Sequence, residues 1–385
     1  MRVGMIGTGA IAEKHAQAYR NIGYEIAVCS NRSAMRGRDF AARYHARFVE
    51  RWQDVCTDPA VDFVDLCTLP DFRLPVIELC AANHKPVQVQ KPIAADLPTA
   101  HRMIEIAKAA GVLLGVVSQH RFDDSSQFLK RAIDAGRLGD AGRLGRILEA
   151  DAYVKWFRPP EYYARPAKGT WAGEGGGALI NQGIHSVDLL LWMMGRARHV
   201  DAQWQLGAVH RIESEDVVNA LVQYESGATG VIQASTAFRP GSPERLEIHG
   251  TKGTAIIAGD RLVTWAVDQV DPCVEESLEQ YPEQYPENAS PEDDPPENDP
   301  PENDPRDQPP LQAAGASGAS DPMALSLTPF ARQFRDFGDA IQGGRAPLVT
   351  GGDGYRALEL VDAIYRSCRE GRRILLNGPA QSGQA

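Results

Sequence analysis

The sequence predicts an α/β domain followed by an α+β domain, and three observations support this fold class. A glycine-rich turn follows a short apolar strand within the first twelve residues. Apolar strands and helical segments then alternate to about residue 120, the pattern of a doubly wound parallel sheet. Beyond that point, short strands are separated by glycine-containing turns, which is typical of α+β structure. The 385 residues suffice for two domains with well-buried cores.

The first strand and the turn after it form a dinucleotide-binding pattern. A strand is predicted over Met1–Ile6, and the residues that follow it read GxGxxA: Gly7, Thr8, Gly9, Ala10, Ile11 and Ala12. Gly7 permits the tight turn, Gly9 lets the backbone approach a pyrophosphate, and Ala12 allows close packing of helix on strand. Because the turn lies between a strand and a helix that runs to about Arg20, we expect these residues to bind a nicotinamide dinucleotide.

Alternating elements continue along the N-terminal part of the chain. Strands are predicted at Glu25–Cys29, Phe63–Thr68, Val87–Gln90 and Val112–Val117, with helices at Met35–Tyr44, Pro75–Ala82 and Leu97–Ala110. These units predict a Rossmann domain over residues 1–120, with its ligand site at the carboxyl ends of the parallel strands.

The residues after the second strand bear on the choice of nicotinamide cofactor. An Asp or Glu at this strand end would hold a ribose 2′-hydroxyl, but the sequence reads Ser30, Asn31, Arg32 and Ser33. The Arg32 guanidinium could instead pair with a 2′-phosphate. We therefore expect NADP rather than NAD, the alternative being that Arg32 is only a solvated surface charge.

A lysine stands at the end of another predicted strand, in the segment Gln90, Lys91 and Pro92. Parallel sheets place their ligands at this edge, and the proline restricts the turn that directs the lysine. We interpret Lys91 as a functional residue. A surface lysine without a role is the alternative.

A glycine-rich segment, Gly173–Gly195, leads into a helix with an apolar stripe and a polar row. The stripe consists of Ile180, Ile184, Val187, Leu191 and Met194. Asn181, His185 and Asp188 recur at similar spacing, so they are expected to project from one face. We interpret His185 as a proton-transfer residue, because an imidazole titrates near neutral pH and the row beside it is polar. The alternative is a core histidine whose nitrogens are satisfied by its neighbours.

Charge and cysteine content exclude several classes of function. The net charge is −11, but thirteen acidic residues and one arginine between Glu275 and Asp307 contribute −12, so the rest of the chain is nearly neutral. We therefore expect no nucleic-acid binding. The six cysteines lack metal-binding spacing, which indicates reduced thiols and no metal site. Without an apolar run of membrane-spanning length, or room for a signal peptide before the first strand, the chain is expected to be cytoplasmic and not bound to a membrane.

The second domain is predicted over residues 121–274 and 320–385. Its strands are expected at Ile147–Lys155, Val200–Leu206, Asp216–Tyr224, Thr229–Ser235, Arg245–His249 and Ile374–Leu376, with helices near Pro329–Gln342 and Gly354–Glu370. An acidic segment, residues 275–319, interrupts it and holds ten of the 26 prolines. Because this segment has almost no apolar side chains, it cannot form a packed core, and we expect a disordered, solvated insertion without catalytic role. A lid or a partner-binding segment is the alternative.

With GTGAIA, QKP and GGGALINQGIHSVD in this order, the chain resembles the Gfo/Idh/MocA oxidoreductases. These are NAD(P)-dependent enzymes that act on sugars, inositols and nucleotide sugars, and the resemblance covers almost the whole chain except the acidic segment. It implies that Lys91 is the lysine of the family's EKP motif and His185 its motif histidine, with Asn181 in place of an aspartate. It also implies a C-terminal domain built on a large, mainly antiparallel open sheet, whose outer face joins a homodimer or homotetramer.

The resemblance is closest to a subgroup with the sequence NQGIH, which includes enzymes that oxidise ring hydroxyls of nucleotide sugars. It implies further cofactor contacts from Thr68, Leu69, Pro70, Gln90, Lys91 and Pro92, with Arg73 where a histidine is common. It also implies a carbohydrate site lined by Lys155, Trp156, Arg158, Tyr163, Trp171 and Asn181. Aromatic faces and cationic side chains suit sugar rings and the carboxylates or phosphates that these carry. Packing between elements is the alternative role for the aromatic residues.

The expected function is hydride transfer between a secondary alcohol of such a ring and the nicotinamide. Lys91 and His185 would exchange the proton of the reacting oxygen, and Asn181 would hold a neighbouring hydroxyl. Two alternatives remain. One is a non-catalytic NAD(P)-binding sensor of the same fold, which has no need of Lys91 and His185, and the other is an NAD-dependent glycosidase that uses the cofactor transiently.

Overall fold

The computed structural model of the protein describes residues 1–135, 143–165, 167–267 and 326–376. The N-terminal strands are β1 (Arg2–Ile6), β2 (Glu25–Ser30), β3 (Arg47–Val49), β4 (Phe63–Leu66), β5 (Val87–Val89) and β6 (Leu114–Val116). The helices between them are α1 (Ala10–Asn21), α2 (Ala34–Tyr44), α3 (Trp52–Cys56), α4 (Arg73–Ala82) and α5 (Leu97–Ala109). The six strands form one parallel sheet in the order β3-β2-β1-β4-β5-β6. This order confirms the predicted Rossmann sheet and puts its topological switch between β1 and β4, where such sheets bind dinucleotides.

Strand β3 and helix α3 were not predicted from the sequence. They are only 3 and 5 residues long, and a segment this short shows no clear apolar period.

The C-terminal strands are β7 (Ile147–Lys155), β8 (Ala197–Leu206), β9 (Glu215–Tyr224), β10 (Thr229–Ser235), β11 (Arg245–Gly250), β12 (Gly253–Ala258), β13 (Arg261–Val267) and β14 (Ile374–Leu375). The helices are α6 (Asp124–Asp134), α7 (Pro160–Tyr163), α8 (Trp171–Glu174), α9 (Ile184–Met194), α10 (Thr328–Gly343) and α11 (Gly351–Glu370). The strands form a sheet in the order β13-β12-β11-β7-β10-β9-β8-β14, in which β7 and β10 are parallel and the other described pairs antiparallel. The large, mainly antiparallel sheet is therefore confirmed, with two strands, β12 and β13, that the sequence analysis did not predict.

The two faces of this sheet differ, as the alternation along β7 illustrates. Ala150, Ala152 and Val154 are buried in the core on the face covered by α9. Asp151 and Tyr153 lie between them in the strand and therefore point to the opposite, outer face. Helix α11 packs on the same inner face, against β8, so the inner face is the one directed towards the rest of the molecule.

Helix α10 links the two halves of the chain. Three of its phenylalanines, Phe330, Phe334 and Phe337, are fully buried in the apolar cluster of the Rossmann sheet. Phe334 stacks on Tyr19 with ring centroids 4.3 Å apart, and Phe337 meets Phe63 edge-on at 5.3 Å. A segment that the sequence assigned to the second domain thus contributes to the first domain's core, and the domain boundaries themselves remain a prediction.

The acidic segment 275–319 lies outside the described residues, so its expected role also stays a prediction. Within the described ranges, no helix has the length and apolar character needed to cross a membrane.

Candidate active site

The turn between β1 and α1 can be formed only by glycine at its first position. Gly7 has φ +92°, and its N–H donates to the carbonyl oxygen of Ser30 at 2.9 Å. A Cβ at Gly7 would lie 2.5 Å from the carbonyl oxygen of Cys67. Gly9 differs, because the position of its absent Cβ faces open space. Gly7 therefore serves the turn, whereas Gly9 leaves room for a ligand.

The start of α1 has the hydrogen-bonding groups that such a ligand needs. Thr8 is buried, and its Oγ1 has no hydrogen-bond partner among the described residues. No side chain caps the first turn of α1, and unpaired N–H groups at a helix start attract phosphate. Ala10 and Ile11 open the helix, and Ala12 is fully buried. The predicted motif, residues 7–12, therefore fits the pyrophosphate of a dinucleotide.

The three residues expected to choose between NAD and NADP differ in their surroundings. The Ser30 hydroxyl is buried and faces the carbonyl oxygen of Glu50 at 3.4 Å. The Asn31 amide donates to the carbonyl oxygen of Ser33 at 3.1 Å. Arg32 is exposed and has no ion pair or hydrogen bond to any residue in the described ranges. The preference for NADP thus depends on Arg32 alone, and it remains a prediction.

A buried arginine joins the ends of β4 and β5. The Arg73 guanidinium donates to main-chain carbonyls only: those of Gln90 and Pro92, that of Ile93 at 3.3 Å and that of Thr68 at 2.6 Å. Burial lowers the pKa of Arg73 to about 9. Leu69 is 44% exposed, and Pro70 is buried at the start of a short 3₁₀ turn. Arg73 therefore fixes the two loops that carry the predicted cofactor residues, a role that the sequence analysis did not assign to it.

Gln90 connects the Lys91 loop to the core of the Rossmann domain. Its Nε2 lies 2.6 Å from His15 Nε2, and its Oε1 accepts the N–H of Lys91 at 3.2 Å. His15 Nδ1 in turn lies 2.7 Å from Asp65 Oδ2. A neutral His15 that donates from Nδ1 and accepts at Nε2 satisfies every member of this chain. Gln90 thus orients the backbone from which Lys91 projects.

Lys91 follows β5 and reaches the second domain. Its Nζ donates to the main-chain carbonyl oxygen of Asn181 at 2.5 Å. Burial, followed by the positive charge of Lys168, lowers the pKa of Lys91 to about 7, whereas the nearby carboxylate of Glu174 opposes the change. A large fraction of Lys91 is therefore neutral near pH 7, and a neutral amine can accept a proton.

Asn181 does not present its side chain to Lys91. Leu179–Gly183 forms one π-helical turn before α9, and this wider turn changes the angle between Asn181 and His185 relative to a regular helix. The Asn181 side-chain amide donates to Glu174 Oε2 at 3.2 Å, whereas its main-chain carbonyl oxygen accepts the hydrogen bond from Lys91. Asn181 is therefore a positioning residue for Lys91, and its expected contact with a substrate hydroxyl stays a prediction.

The glycine loop before the π-helical turn is held by a buried glutamate. Glu215 accepts the N–H groups of Gly177 and Leu179 and the hydroxyl of Tyr365, each at 2.8 Å. Burial raises the pKa of Glu215 to about 7. A Cβ at Gly177 would overlap the main-chain carbonyl of Glu215. Close approach of β9 therefore requires glycine here, independently of any ligand.

His185 lines two pockets. One pocket is also lined by Lys91, Ser118 and Asp188, and the other by His120 and Glu244. Burial, together with the charges of Lys91 and His120, lowers the pKa of His185 well below its usual value. The His185 ring is therefore neutral near pH 7 and can accept a proton from the side of Lys91.

A second histidine, which the sequence analysis missed, faces His185. The rings of His120 and His185 meet edge-on with centroids 5.2 Å apart, and His120 Nδ1 lies 2.7 Å from Asp123 Oδ2. Burial by itself would lower the pKa of His120, but the charge and hydrogen bond of Asp123, together with the charges of Glu244 and Asp260, outweigh burial and raise the pKa to about 9. Its sequence signal was its place three residues after Val117, at the carboxyl edge of the parallel sheet.

Asp188 does not belong to the polar row that the helical spacing predicted. Both of its oxygens pair with Arg121, at 2.8 Å from Nε and 2.6 Å from Nη2, and it also accepts the Ser118 hydroxyl. Arg121 extends further to Asp353 on α11 at 3.2 Å. Asp188 is thus part of a buried ion-pair network that joins α9, α11 and the segment after β6, and it has no free oxygen to offer a substrate.

Two of the predicted carbohydrate contacts lie near Lys91 and His185. The guanidinium of Arg158 lies 4.8 Å from the ring centre of Trp156, and Arg158 is close enough to Lys91 to lower the pKa of that lysine. Trp156 lines the His120 side of His185. The Tyr163 hydroxyl lies 2.7 Å from Thr236 Oγ1, and its contact with a carbohydrate stays a prediction.

Lys155 and Trp171 are arranged differently from what the prediction implied. Lys155 is adjacent to Trp156 in the strand, so it points to the outer face, where its Nζ lies 5.1 Å from the ring centre of Tyr153. Trp171 packs against Tyr365, with ring centroids 5.1 Å apart, and under the Arg369 guanidinium at 5.1 Å. These contacts place Lys155 on the outer face and Trp171 in a packing arrangement, and the carbohydrate contacts expected of both residues stay predictions.

The ion pair of Lys168 with Glu174 is another part of the site that sequence reasoning missed. Glu174 also accepts the N–H of Gly169 at 2.9 Å, and both side chains act on the pKa of Lys91. Both residues flank motifs that the sequence analysis quoted, but spacing along the chain gave no sign that they meet.

Among the described residues, two groups of side chains have ligand atoms close enough together to hold a metal: His15 with Asp65 and Cys67, and Asp151 with Glu247 and His249. In the first group the ligand atoms of His15 and Asp65 already bond to each other at 2.7 Å. In the second, Asp151 accepts the N–H of Val231 at 2.6 Å, and Glu247 pairs with Arg245. Internal bonds thus account for both groups.

The sequence matches two profiles of known families. Residues 1–118 match an oxidoreductase family with an NAD-binding Rossmann fold, and residues 127–256 match the GFO/IDH/MocA C-terminal domain. The chain is 30% identical to the myo-inositol 2-dehydrogenase of Thermotoga maritima over 264 residues, which cover 66% of this chain and 74% of the relative. It is 28% identical to a D-apiose dehydrogenase of Paraburkholderia graminis over 386 residues, covering 97% of this chain and 88% of the relative.

Solved structures are similar over nearly the full length. The WlbA dehydrogenase of Bordetella pertussis, in complex with NADH and UDP-GlcNAcA, aligns with a TM-score of 0.80 at 27% identity and covers 98% of both chains. The corresponding protein of Chromobacterium violaceum, with the same two ligands, gives a TM-score of 0.78 at 26% identity, covering 98% of this chain and 96% of that one.

Proposed function

Because the chain belongs to the Gfo/Idh/MocA family of NAD-dependent oxidoreductases, we propose that it transfers hydride between the nicotinamide and a secondary alcohol of a pyranose-type ring. The ring belongs to a sugar, an inositol or a nucleotide sugar, as it does for dehydrogenases of this family. Lys91 and His185 exchange the proton of the reacting oxygen. The observation that carries this proposal is the meeting of these two bases, one from each domain, around a single pocket.

Lys91 supports the proposal by its position and its charge state. It projects from the end of β5 and is held by the Asn181 carbonyl oxygen at 2.5 Å. Its pKa of about 7 lets it exist as an amine and as an ammonium at the working pH. A group of this kind takes the alcohol proton during oxidation and returns it during reduction.

His185 is the second group at the reacting oxygen. Because its pKa is lowered, it remains neutral and accepts a hydrogen bond or a proton from the alcohol at a ring nitrogen. Either base can be the proximal one. The other then keeps the oxygen in place by a hydrogen bond.

The residues that would hold the cofactor are those of the turn after β1, with the loops tied by Arg73. When bound, the nicotinamide supplies a hydride acceptor or donor at its C4 position. Thr8 Oγ1 and the uncapped start of α1 fit the pyrophosphate.

Charge around Lys91 favours an anionic substrate. Lys168, Arg73 and Arg158 are close enough to lower its pKa, whereas Glu174 is the nearby carboxylate that raises it. An excess of positive charge in a partly buried site stabilises a carboxylate or phosphate. We therefore propose that the sugar carries such a group, as the UDP-GlcNAcA bound to the two WlbA dehydrogenases does.

The proposal is tested with a panel of inositols, free sugars, sugar acids and nucleotide sugars, each with NAD and with NADP, by following reduced nicotinamide. We expect turnover with at least one member and faster turnover with acidic sugars than with their neutral counterparts. A sensor would bind the dinucleotide and reduce none of it. A glycosidase would release a sugar without net reduction of the cofactor.

We also propose that the chain forms a homodimer or homotetramer through the outer face of the C-terminal sheet. Leu221 on β9 is 62% exposed and Val263 on β13 is 45% exposed, and both point to this face. Light scattering should give a mass of two or four chains, and a monomer at micromolar concentration would contradict the assignment. The five described cysteines are free thiols, which supports a cytoplasmic location.

A further inference from the structure

A second pocket borders His185, and Lys91 does not line it. We refer to it as the rear pocket, and it is lined by His120, Trp156, Gln182, His185, Glu244 and Arg245, among others. His185 lines this pocket as well as the one that contains Lys91. His185 is therefore shared by the two pockets.

Three buried polar atoms face no protein partner among the described residues of this pocket's wall. They are Trp156 Nε1, Gln182 Oε1 and Glu244 Oε2. Gln182 uses its Nε2 to donate to the Tyr162 hydroxyl at 3.0 Å, so its oxygen remains. One donor and two acceptors beside a histidine form a set that needs polar occupants, because an unpaired buried polar group is costly.

The size of the rear pocket decides what those occupants are. It leaves about 20 Å³ for the centres of water molecules, and one water needs about 10–15 Å³ by this measure. The space therefore accommodates one or two waters. Each water would have the two to four polar partners that buried waters require.

Glu244 connects the rear pocket to the surface. Its Oε2 is buried in the pocket, yet the residue as a whole is only half-buried, and its neighbour Arg245 is exposed. Glu244 directly precedes β11, and its own carbonyl oxygen is fixed by the N–H of Gly259 at 2.8 Å. A carboxylate in this position can take a proton inside and release it outside.

We infer that the rear pocket is a proton exit, in which His185 passes the substrate proton through bound water to Glu244. This inference rests on the proposed function. During oxidation the alcohol loses a hydride to the nicotinamide and its O–H proton to the active-site bases. That proton moves from His185 to water, from water to the Glu244 carboxylate and then to solvent, while reduction reverses each step. Atoms and charge balance, because one alcohol gives one hydride and one released proton.

His120 acts in this path as a fixed positive charge. It pairs with Asp123 at 2.7 Å and faces His185 across 5.2 Å between ring centroids. The negative groups that act on it are Asp123, Glu244 and Asp260, and the positive groups that act on His185 are Lys91 and His120. Because His120 keeps its proton up to a pH of about 9, its charge disfavours a lasting proton on His185 and so promotes onward transfer.

The test compares Glu244→Gln with the wild type in single-turnover stopped-flow experiments. Reduced nicotinamide is followed by its absorbance and proton release by a pH indicator in weakly buffered solution. In the wild type the two signals should rise together. In Glu244→Gln the rate of proton release should be about tenfold or more below the rate of nicotinamide reduction. Adding imidazole as a small proton carrier should restore steady-state turnover of the variant. Coincident signals in the variant, or a slowed turnover that imidazole does not restore, would refute the exit path.

A matched control and a cofactor-free readout accompany this test. Glu247 lies on β11 and pairs in register with Asp151 of the outer face, so Glu247→Gln should behave like the wild type. In the protein without ligands, nuclear magnetic resonance titration of His120 should show a lower pKa in Glu244→Gln, because a negative charge near its ring is removed. An unchanged His120 titration would contradict the inference. A wild type that reduces no cofactor with any sugar would instead contradict the proposed function, so the two failures are distinguishable.

Discussion

At the scale of single residues, the charge around Lys91 sets its chemistry. The amine would be protonated at neutral pH in water, and burial and neighbouring cations change this. Lys168 is the strongest of these cations, and it is itself paired with Glu174. The working pH of the site is therefore set by a residue outside the motifs that the sequence displays.

Lys168→Gln should move the pH dependence of sugar oxidation upwards. The substitution removes a cation that lowers the pKa of Lys91. It also leaves the Glu174 carboxylate, which raises that pKa, without its ion-pair partner. Oxidation needs the neutral amine, so kcat/KM should fall at pH 7 and recover at higher pH. The pH profile of kcat/KM measures this, with the exposed Lys108→Gln as control. A profile whose acidic limb stays in place would contradict the assignment of Lys91 as the titrating base.

Arg32 is the residue on which the predicted cofactor preference rests. No acid stands beside it at the end of β2, and the guanidinium is exposed. We expect NADP to bind more tightly than NAD, and Arg32→Ala to weaken NADP alone. Titration of the purified protein with each dinucleotide tests this, with Arg36→Ala on the next helix as control. Equal affinities, or tighter binding of NAD, would show that Arg32 is only a surface charge.

At the scale of elements, the polar row before and along α9 shows where sequence reasoning reached its limit. Regular helical spacing singled out His185, whose proton-transfer role stays a prediction, and it placed the Asn181 side chain and Asp188 beside it. A π-helical turn changes the direction of the Asn181 side chain relative to His185, and Asp188 forms an ion pair with Arg121. Neither effect is visible in local spacing, since one depends on the packing of the glycine loop and the other on a residue 67 positions away. Strand alternation, which separates Lys155 from Trp156, is by contrast a local signal.

Gly177→Ala should disturb the site through this element. The added Cβ would overlap the Glu215 carbonyl, so the loop must move, with a loss of stability of about 1–3 kcal/mol. Turnover should fall further than stability alone explains, because the loop carries the Asn181 carbonyl that holds Lys91. Thermal unfolding and kcat measure the two effects. Gly343→Ala, a helical position with open space around it, is the control, and equal behaviour of both variants would exclude the overlap.

At the scale of the whole molecule, the site exists because two sheets meet. Lys91 comes from the parallel sheet and His185 from the helix over the mixed sheet, and the buried Arg121 network joins the same elements. The sequence could predict the parallel sheet and most strands of the second sheet, since their apolar patterns are local, whereas the arrangement of the second sheet was implied by the family resemblance. Spacing along the chain gave no sign of Lys168 or Glu244, because their relevance arises only from contacts between distant parts of the chain, whereas His120 had a local signal in its place just after Val117.

The acidic segment should be dispensable for this arrangement. Its composition provides almost no apolar surface to bury, so replacing residues 279–318 with a short Gly/Ser linker should preserve both the melting temperature and cofactor affinity. Calorimetry and dinucleotide titration check these outcomes. If turnover collapses while the fold survives, the segment is a lid or a partner-binding element, as the alternative holds.

The central claim is that Lys91 and His185 act on one substrate oxygen, and substituting each residue in turn tests it most directly. With the substrate found in the panel, Lys91→Ala and His185→Ala should each lower turnover by about 10²–10⁴-fold, the usual effect of removing a positioned acid–base group. Dinucleotide affinity, measured by titration, should remain close to that of the wild type, and Lys108→Ala should retain full activity. Near-normal turnover in either Lys91→Ala or His185→Ala would contradict the account.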